Sequence, residues 1–145
     1  MMYLDSCILV KLLVPESDSL QFEAVLRDRA ISSLELARLE VRSSLYGKER
    51  LGLVGQNDAD RAISALNGWV ETEQLVLHPL SGEVFSKAGE IMKRCHPEVP
   101  LRTLDALHVA ACDLSQDFPL CTTDRRMREA ARMLGIPVFP EEAEA

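Results

Sequence analysis

The sequence predicts an α/β protein in which helices cover both faces of a parallel sheet. Short apolar runs typical of buried strands alternate with longer stretches in which apolar residues recur at helical spacing. Residues 103–114 are apolar on nearly every side, which indicates a helix inside the core. At 145 residues the chain has the length of one ordinary domain, and we assign residues 1–140 to it and residues 141–145 to an acidic tail.

The N-terminal part predicts a strand, a helix and a second helix. Residues 2–4 form an apolar strand that ends at Asp5, and an amphipathic helix follows over residues 6–14, before Pro15. A second helix then runs to about residue 29, with Ser17 or Asp18 as its cap. Its predicted inner face consists of Leu20, Ala24 and Val25.

The middle of the chain predicts a second strand followed by a helical hairpin. The strand covers residues 30–32, and a long helix begins at Ser33 and ends near Gly52. A helix over residues 55–73 pairs with it. The third strand then covers residues 75–77.

The last part alternates helices and strands again. A helix over residues 81–94 precedes the apolar helix 103–114. A fourth strand over residues 119–122 is followed by a helix over residues 124–134 and a short strand over residues 137–139. This alternation predicts parallel pairing, because parallel strands require crossover connections.

Composition excludes several classes of protein. Hydrophobic residues make up 47% and charged residues 27%, which is the balance of a globular domain. No apolar run approaches the roughly 18 residues of a membrane span, and the N-terminus lacks the basic region of a secretory signal. We therefore expect a cytoplasmic protein without membrane contact, whose four cysteines are buried free thiols.

Four carboxylates occupy positions that favour a functional site. Asp5 and Asp124 each follow a predicted strand, and the carboxyl ends of parallel strands line the ligand crevice of an open sheet. Asp105 lies in the first turn of the apolar helix, and Glu40 lies near the inward stripe of its own helix. Because buried unpaired carboxylates are costly, four that converge would repel one another unless a divalent cation held them.

Each carboxylate also has a purely structural interpretation. Asp5 and Asp124 can cap helices, and Asp105 gains from the dipole of its helix. Three basic residues can pair with Glu40 on a solvated helix face: Arg38, Arg42 and Lys48. Caps do not explain a carboxylate on an otherwise apolar helix. A ligand set made only of oxygens favours Mg²⁺ or Mn²⁺ over Zn²⁺.

Four segments, taken in order, resemble the PIN-domain family. They are Tyr3-Leu4-Asp5-Ser6, Ser32-Ser33 with Leu39-Glu40-Val41, Leu101-Arg102-Thr103-Leu104-Asp105-Ala106-Leu107-His108-Val109-Ala110-Ala111, and Thr122-Thr123-Asp124. The resemblance runs from Met2 to about Phe139, and the block over residues 101–108 is similar to the VapC toxin branch of the family. Positions 5, 40, 105 and 124 are spaced by 35, 65 and 19 residues, an ordered set that is more specific than any one motif.

The resemblance implies a three-layer α/β/α sandwich around a short, mainly parallel sheet. The implied catalytic residues, which would also bind Mg²⁺ or Mn²⁺, are Asp5, Glu40, Asp105 and Asp124. The implied supporting residues are Ser6 and Thr122. The activity implied is hydrolysis of phosphodiester bonds in single-stranded RNA by metal-assisted attack of water.

Two positions qualify this assignment. Arg128 stands where some relatives carry a further acidic or amide residue, so the resemblance supports four acids and not five. Glu35 competes with Glu40 for the second position, and the family pattern favours Glu40. The chain's histidines do not suggest the acid–base pair of a metal-free ribonuclease, and we expect His108 to be a core residue.

The net charge of −7 contrasts with the basic surface that nucleic-acid binding usually requires. Two groups of basic residues can nevertheless form a cationic rim around the acids, or can equally be solvated helix faces. They are Arg125, Arg126, Arg128 and Arg132, and Arg38, Arg42, Lys48 and Arg50.

Three functions remain open at this point. The first is the ribonuclease toxin of a toxin–antitoxin pair, and the second is a catalytically silent PIN-like module that binds RNA or protein. The third, a haloacid-dehalogenase-type phosphatase, ranks last because Asp5-Ser6-Cys7 lacks the required second Asp.

The resemblance also implies a homodimer and an antitoxin that places an Arg or Lys in the acidic pocket. Apolar residues beyond the needs of one small sheet agree with such contacts: Ile8, Leu9, Leu12, Leu13, Leu45, Leu51, Leu53 and Val54.

Overall fold

A computed structural model describes residues 1–141 of the chain. In that range five strands form the sheet: β1 (Met2–Leu4), β2 (Ile31–Leu34), β3 (Leu75–His78), β4 (Leu120–Cys121) and β5 (Val138–Phe139). Seven helices surround it within the same range: α1 (Ser6–Leu13), α2 (Ser19–Leu26), α3 (Ala37–Arg50), α4 (Asp58–Glu71), α5 (Gly82–Cys95), α6 (Thr103–Ser115) and α7 (Arg125–Leu134). Most of the predicted acidic tail, residues 142–145, lies outside the described residues.

The sheet has the order β3-β2-β1-β4-β5, and every pair of neighbouring strands is parallel. Successive side chains of β1 point to opposite faces: Tyr3 joins one hydrophobic cluster, and Met2 and Leu4 join the other. Helices α5, α6 and α7 cover the Tyr3 face, and α1 to α4 cover the opposite face. The predicted α/β fold with three layers is confirmed.

Strand β2 is longer than the sequence predicts. Ser33 and Leu34 were expected to begin the long helix, but they pair with β3, and the helix starts only at Ala37. Ser33 Oγ donates a 2.7 Å hydrogen bond to the carbonyl of Leu4, and Leu34 is fully buried. Pairing with β3 and the hydrogen bond to Leu4 outweigh the local helical pattern, so this prediction was wrong.

Helix α2 faces the core with other residues than predicted. Of the predicted residues, Leu20 is 80% exposed, Ala24 is exposed and Val25 is half-buried. The buried apolar residues of the helix are Phe22 and Leu26. The Phe22 ring packs edge-on against Phe139 of β5, with ring centroids 6.3 Å apart. A contact with the other end of the chain therefore sets the rotation of this short helix.

The predicted surplus of apolar residues divides into three groups. Ile8, Leu9 and Leu45 belong to the core, and Leu51 and Leu53 are 76% and 67% exposed between α3 and α4. The third group is partly buried against the core and consists of Leu12, Leu13 and Val54. Among the four free cysteines, Cys7 is half-buried and the others are buried. No helix within residues 1–141 is long and apolar enough to cross a membrane.

Candidate active site

A cavity of about 640 Å³ lies at the carboxyl edge of the sheet, beside the ends of β1 and β4. Its lining includes all four carboxylates expected from the sequence: Asp5, Glu40, Asp105 and Asp124. Ser6 also lines it, at the first position of α1, and its side chain makes no hydrogen bond within residues 1–141. Asp5 and Asp124, which are 119 positions apart, thus meet at one place because their parallel strands end at the same edge.

Asp5 is both a helix cap and a wall of this cavity. Its Oδ1 accepts hydrogen bonds from the backbone N–H of Ile8 at 3.1 Å and from Cys7 Sγ at 2.9 Å. Its Oδ2 accepts a short hydrogen bond from Thr122 Oγ1. Burial raises the pKa of the Asp5 carboxyl, and the hydrogen bonds from Cys7 and Thr122 partly oppose that rise. The structural and functional interpretations of Asp5 are therefore compatible.

Thr122 connects Asp5 to Asp124. While its hydroxyl donates to Asp5, the same oxygen accepts the backbone N–H of Asp124 at 3.0 Å. Asp124 in turn caps α7, because its Oδ1 accepts the N–H of Met127 at 2.9 Å. One buried hydroxyl thus connects the carboxylate of Asp5 to the backbone of Asp124, at the ends of two different strands.

Asp105 lies in the first turn of α6, and a cation from its own chain bridges it to Asp124. Arg102 Nε lies 3.2 Å from Asp105 Oδ2, and Arg102 Nη2 lies 3.7 Å from Asp124 Oδ2. The Arg102 side chain is 66% exposed, so this bridge forms at the open side of the cavity. We did not single out Arg102 from the sequence, although its position three residues before Asp105 is a spacing at which helical side chains meet.

Glu40, from the first turn of α3, meets a histidine that the sequence places in the core. His108 Nε2 lies 2.5 Å from Glu40 Oε1, and His108 Nδ1 lies 2.8 Å from the hydroxyl of Tyr3. His108 is buried as expected, but it also lines the cavity. The rival acid, Glu35, is exposed and is absent from the lining.

Three of the basic residues considered for a cationic rim bond to the protein itself. Arg128 is buried and donates to the carbonyls of Thr122 and Pro140, so it supports the ends of β4 and β5 and cannot contact a ligand in the cavity. Arg38 and Arg42 bond to Asn67 and Tyr46 on the helical hairpin. Arg102 is the basic residue that lines the cavity.

The donor set fits a divalent cation by its chemistry. Four carboxylates face one cavity, and a guanidinium already lies between two of them. Within residues 1–141, however, no three His, Cys, Asp or Glu side chains are already arranged around one metal position. Binding would require these carboxylates to exchange their present partners for the ion.

The chain is similar in sequence to known proteins. A family model described as PIN domain matches residues 2–133. Ribonuclease VapC46 of Mycobacterium tuberculosis (strain ATCC 25618 / H37Rv) is 38% identical over 141 residues, which cover 94% of this chain and 95% of that protein.

Two solved structures share the fold. VapBC2 from Rickettsia felis, bound to a DNA fragment from its promoter, aligns with a TM-score of 0.64 and 15% identity over 95% of this chain and 97% of that one. A toxin–antitoxin complex from Klebsiella pneumoniae aligns with a TM-score of 0.62 and 18% identity over 99% and 100% of the two chains. At these identities the likeness concerns the fold.

Proposed function

This chain belongs to the PIN domain family, and from that premise we propose that it is a Mg²⁺- or Mn²⁺-dependent endoribonuclease, the toxin of a VapBC-type toxin–antitoxin pair. One observation carries the proposal: Asp5, Glu40, Asp105 and Asp124 line a single cavity at the carboxyl edge of the sheet. The 38% identity to a protein named as a ribonuclease supports the type of reaction.

These four carboxylates are the proposed ligands of the metal. When bound, Mg²⁺ or Mn²⁺ supplies Lewis-acid chemistry that lowers the pKa of water and neutralises charge on a phosphodiester. The chain's own part is positioning: Thr122 holds Asp5, and the capping bond to Met127 holds Asp124. Attack by water on single-stranded RNA would leave a 5′-phosphate and needs no 2′-hydroxyl.

Cleavage of single-stranded RNA by the purified protein tests this proposal. We expect cleavage with Mg²⁺ or Mn²⁺ and none in excess EDTA. Asp105→Asn should abolish the metal-dependent cleavage, because an amide is a weaker ligand than a carboxylate. Glu35→Gln is the matched control for Glu40→Gln, since Glu35 is exposed outside the cavity. Activity that survives EDTA, or a larger loss from Glu35→Gln than from Glu40→Gln, would contradict the proposed site.

The proposed partners are an antitoxin and a second copy of the chain. A guanidinium already lies between Asp105 and Asp124, which supports an antitoxin that inserts an Arg or Lys there. The exposed Leu51 and Leu53 offer apolar surface for self-association. Sedimentation of the protein at tens of micromolar should show a dimer, and a strict monomer would contradict self-association. A cationic antitoxin segment should inhibit cleavage of RNA, and cleavage that the antitoxin leaves unchanged would contradict the proposed partner.

We also propose a cytoplasmic location. All four cysteines are free, and burial raises the pKa of the Cys112 and Cys121 thiols, which keeps them protonated and unreactive. Free thiols agree with a reducing compartment. Fractionation of cells that express the protein tests this assignment.

A catalytically silent module is the second candidate. It is favoured by the present engagement of the carboxylates with Arg102, His108 and Thr122, which leaves no ready metal cluster within residues 1–141. Calorimetric titration with Mn²⁺ separates the two candidates. Saturable binding that Asp105→Asn removes supports the nuclease, whereas no binding and no cleavage support the silent module.

A further inference from the structure

Glu40, His108 and Tyr3 form a chain of hydrogen bonds behind the cavity. His108 Nε2 lies 2.5 Å from Glu40 Oε1, and the Tyr3 hydroxyl lies 2.8 Å from His108 Nδ1. The three residues come from α3, α6 and β1, and the sequence separates Glu40 from His108 by 68 positions. The side chain of His108 is only 3% exposed, while that of Glu40 is 19% exposed.

The partners of His108 determine where its proton lies. An ionised carboxylate can only accept hydrogen bonds, so Nε2 of His108 carries the hydrogen that it donates to Glu40. In the neutral ring, Nδ1 is then an acceptor, and the hydroxyl of Tyr3 donates to it. The Tyr3 ring also packs edge-on against the imidazole, with centroids 5.9 Å apart. Glu40 therefore sets the tautomer of His108, and Tyr3 donates to the remaining acceptor and holds the ring plane.

His108 restrains the one site carboxylate that neither caps a helix nor bonds to Arg102 or Thr122. A glutamate side chain has three rotatable bonds, and its Oε1 is held by His108 alone within residues 1–141. The second oxygen, Oε2, accepts no hydrogen bond in that part of the chain. Fixing one oxygen reduces the rotamers of Glu40 and so lowers the entropic cost of binding a cation.

We propose that His108, oriented by Tyr3, is a positioning residue that holds Glu40 ready to bind the divalent cation. This inference rests on the proposed function for the presence of a metal site, and adds to it which residue prepares the second ligand. A carboxylate–histidine contact of this kind acts on metal affinity through the ligand and not by touching the ion.

The test compares two amides at position 108. Glutamine reaches as far as Nε2 and can keep the donor to Glu40, whereas asparagine reaches only as far as Nδ1 and loses it. We expect His108→Asn to weaken Mn²⁺ affinity by about 10–100-fold, the range for loss of a residue that orients a ligand. His108→Gln should keep most of the wild-type affinity for Mn²⁺. Tyr3→Phe should lower this affinity less than His108→Asn does, because Glu40 itself still favours a proton on Nε2.

Mn²⁺ dissociation constants of the full-length protein, measured by calorimetry, are the readout, with thermal unfolding recorded in parallel. Val109→Ala is the control, because Val109 is the next residue of α6, is fully buried and does not line the cavity. It should lower stability and leave Mn²⁺ affinity unchanged. Since His108 acts through Glu40, adding His108→Asn to Glu40→Gln should weaken Mn²⁺ binding no further.

Three results would overturn the positioning role. The first is a His108→Asn protein that binds Mn²⁺ as the wild type does. The second is an equal loss of affinity in the Asn and Gln variants, and the third is a loss that adds fully to the loss in Glu40→Gln. A wild-type protein that binds no Mn²⁺ would instead overturn the metal site of the proposed function, and this inference with it. The wild-type titration therefore distinguishes the two failures.

Discussion

Arg102 Nε donates a 3.2 Å hydrogen bond to Asp105 Oδ2, from the N-cap position of α6 to the first turn of the same helix. The same guanidinium reaches Asp124 at 3.7 Å. The acidic cavity thus holds a cation of its own chain at its open side. A metal ion that uses Asp105 and Asp124 must compete with this cation.

Removing Arg102 should therefore tighten metal binding. An exposed ion pair contributes roughly 0.2–1 kcal/mol, so we expect Arg102→Gln to lower the Mn²⁺ dissociation constant by up to about 5-fold. Arg125→Gln is the control, because Arg125 is also exposed and bonds to Glu129 outside the cavity. Calorimetric titration measures both variants. Weaker Mn²⁺ binding in Arg102→Gln than in Arg125→Gln would contradict competition.

Asp5 predicts a pH dependence of stability. Burial raises the pKa of Asp5 above its ordinary value of 3.8, so the folded state binds this proton more tightly than the unfolded state does. The stabilisation is complete below the unfolded pKa and is lost as the pH rises through the folded pKa. In EDTA, the free energy of unfolding of the wild type relative to Asp5→Asn should therefore fall as the pH rises above about 4.

Urea denaturation of both proteins across that pH range measures the difference. The Asn variant cannot titrate at this position, so groups common to both proteins cancel in the comparison. If the free energy of unfolding of the wild type relative to Asp5→Asn instead rose with pH, the fold would stabilise the ionised carboxylate, contrary to this prediction.

Thr122 should matter more for metal binding than Ser6. Thr122→Val keeps the shape of the side chain but removes the hydroxyl that donates to Asp5 and accepts from Asp124. We expect about 10–100-fold weaker Mn²⁺ affinity, and Thr122→Ser should retain most of it because the hydroxyl remains. Ser6→Ala should change affinity little, since Ser6 makes no side-chain hydrogen bond within residues 1–141. Equal effects of Thr122→Val and Ser6→Ala on the titration would refute this ranking.

Arg128 should prove structural. It is buried, and its guanidinium donates to the carbonyls of Thr122 and Pro140, which Arg128→Leu would leave unpaired. Hydrogen bonds to charged groups contribute about 1.5–3 kcal/mol each, so we expect the loss of stability to reach at least that size. Arg126→Leu is the control on the exposed face of α7 and should stay within about 0.5 kcal/mol of the wild type. Urea denaturation in EDTA measures the free energy of unfolding of both variants. Equal values for the two would contradict the structural role of Arg128.

Local patterns in the sequence predicted the order of the elements and the parallel sheet. Periods of two and 3.6 residues are set by neighbours within a few positions, so they can be recognised without knowledge of the fold. The positions of Asp5 and Asp124 were also predictable, because any residue directly after a parallel strand lies at the same edge of the sheet. The helix patterns already singled out Glu40 and Asp105, and the resemblance implied that they belong to the same site.

Contacts between distant segments decided the rest. Ser33 and Leu34 became strand because β3 pairs with them, and α2 turned Phe22 inward because Phe139 packs there. The bond from His108 to Glu40 joins residues 68 positions apart, which local spacing does not specify.

The same distinction explains the two arginines. The sequence predicted for Arg128 a cationic rim or a solvated face and singled out no role for Arg102. In the structure Arg128 is buried and donates to two carbonyls, and Arg102 bridges Asp105 and Asp124. In the folded protein, polar groups replace the water around a charged side chain, and those groups decide what the side chain does. They are brought together only when the chain has folded. The sequence by itself determined the fold and the acids at its edge, and the tertiary structure decided what each acid is bonded to.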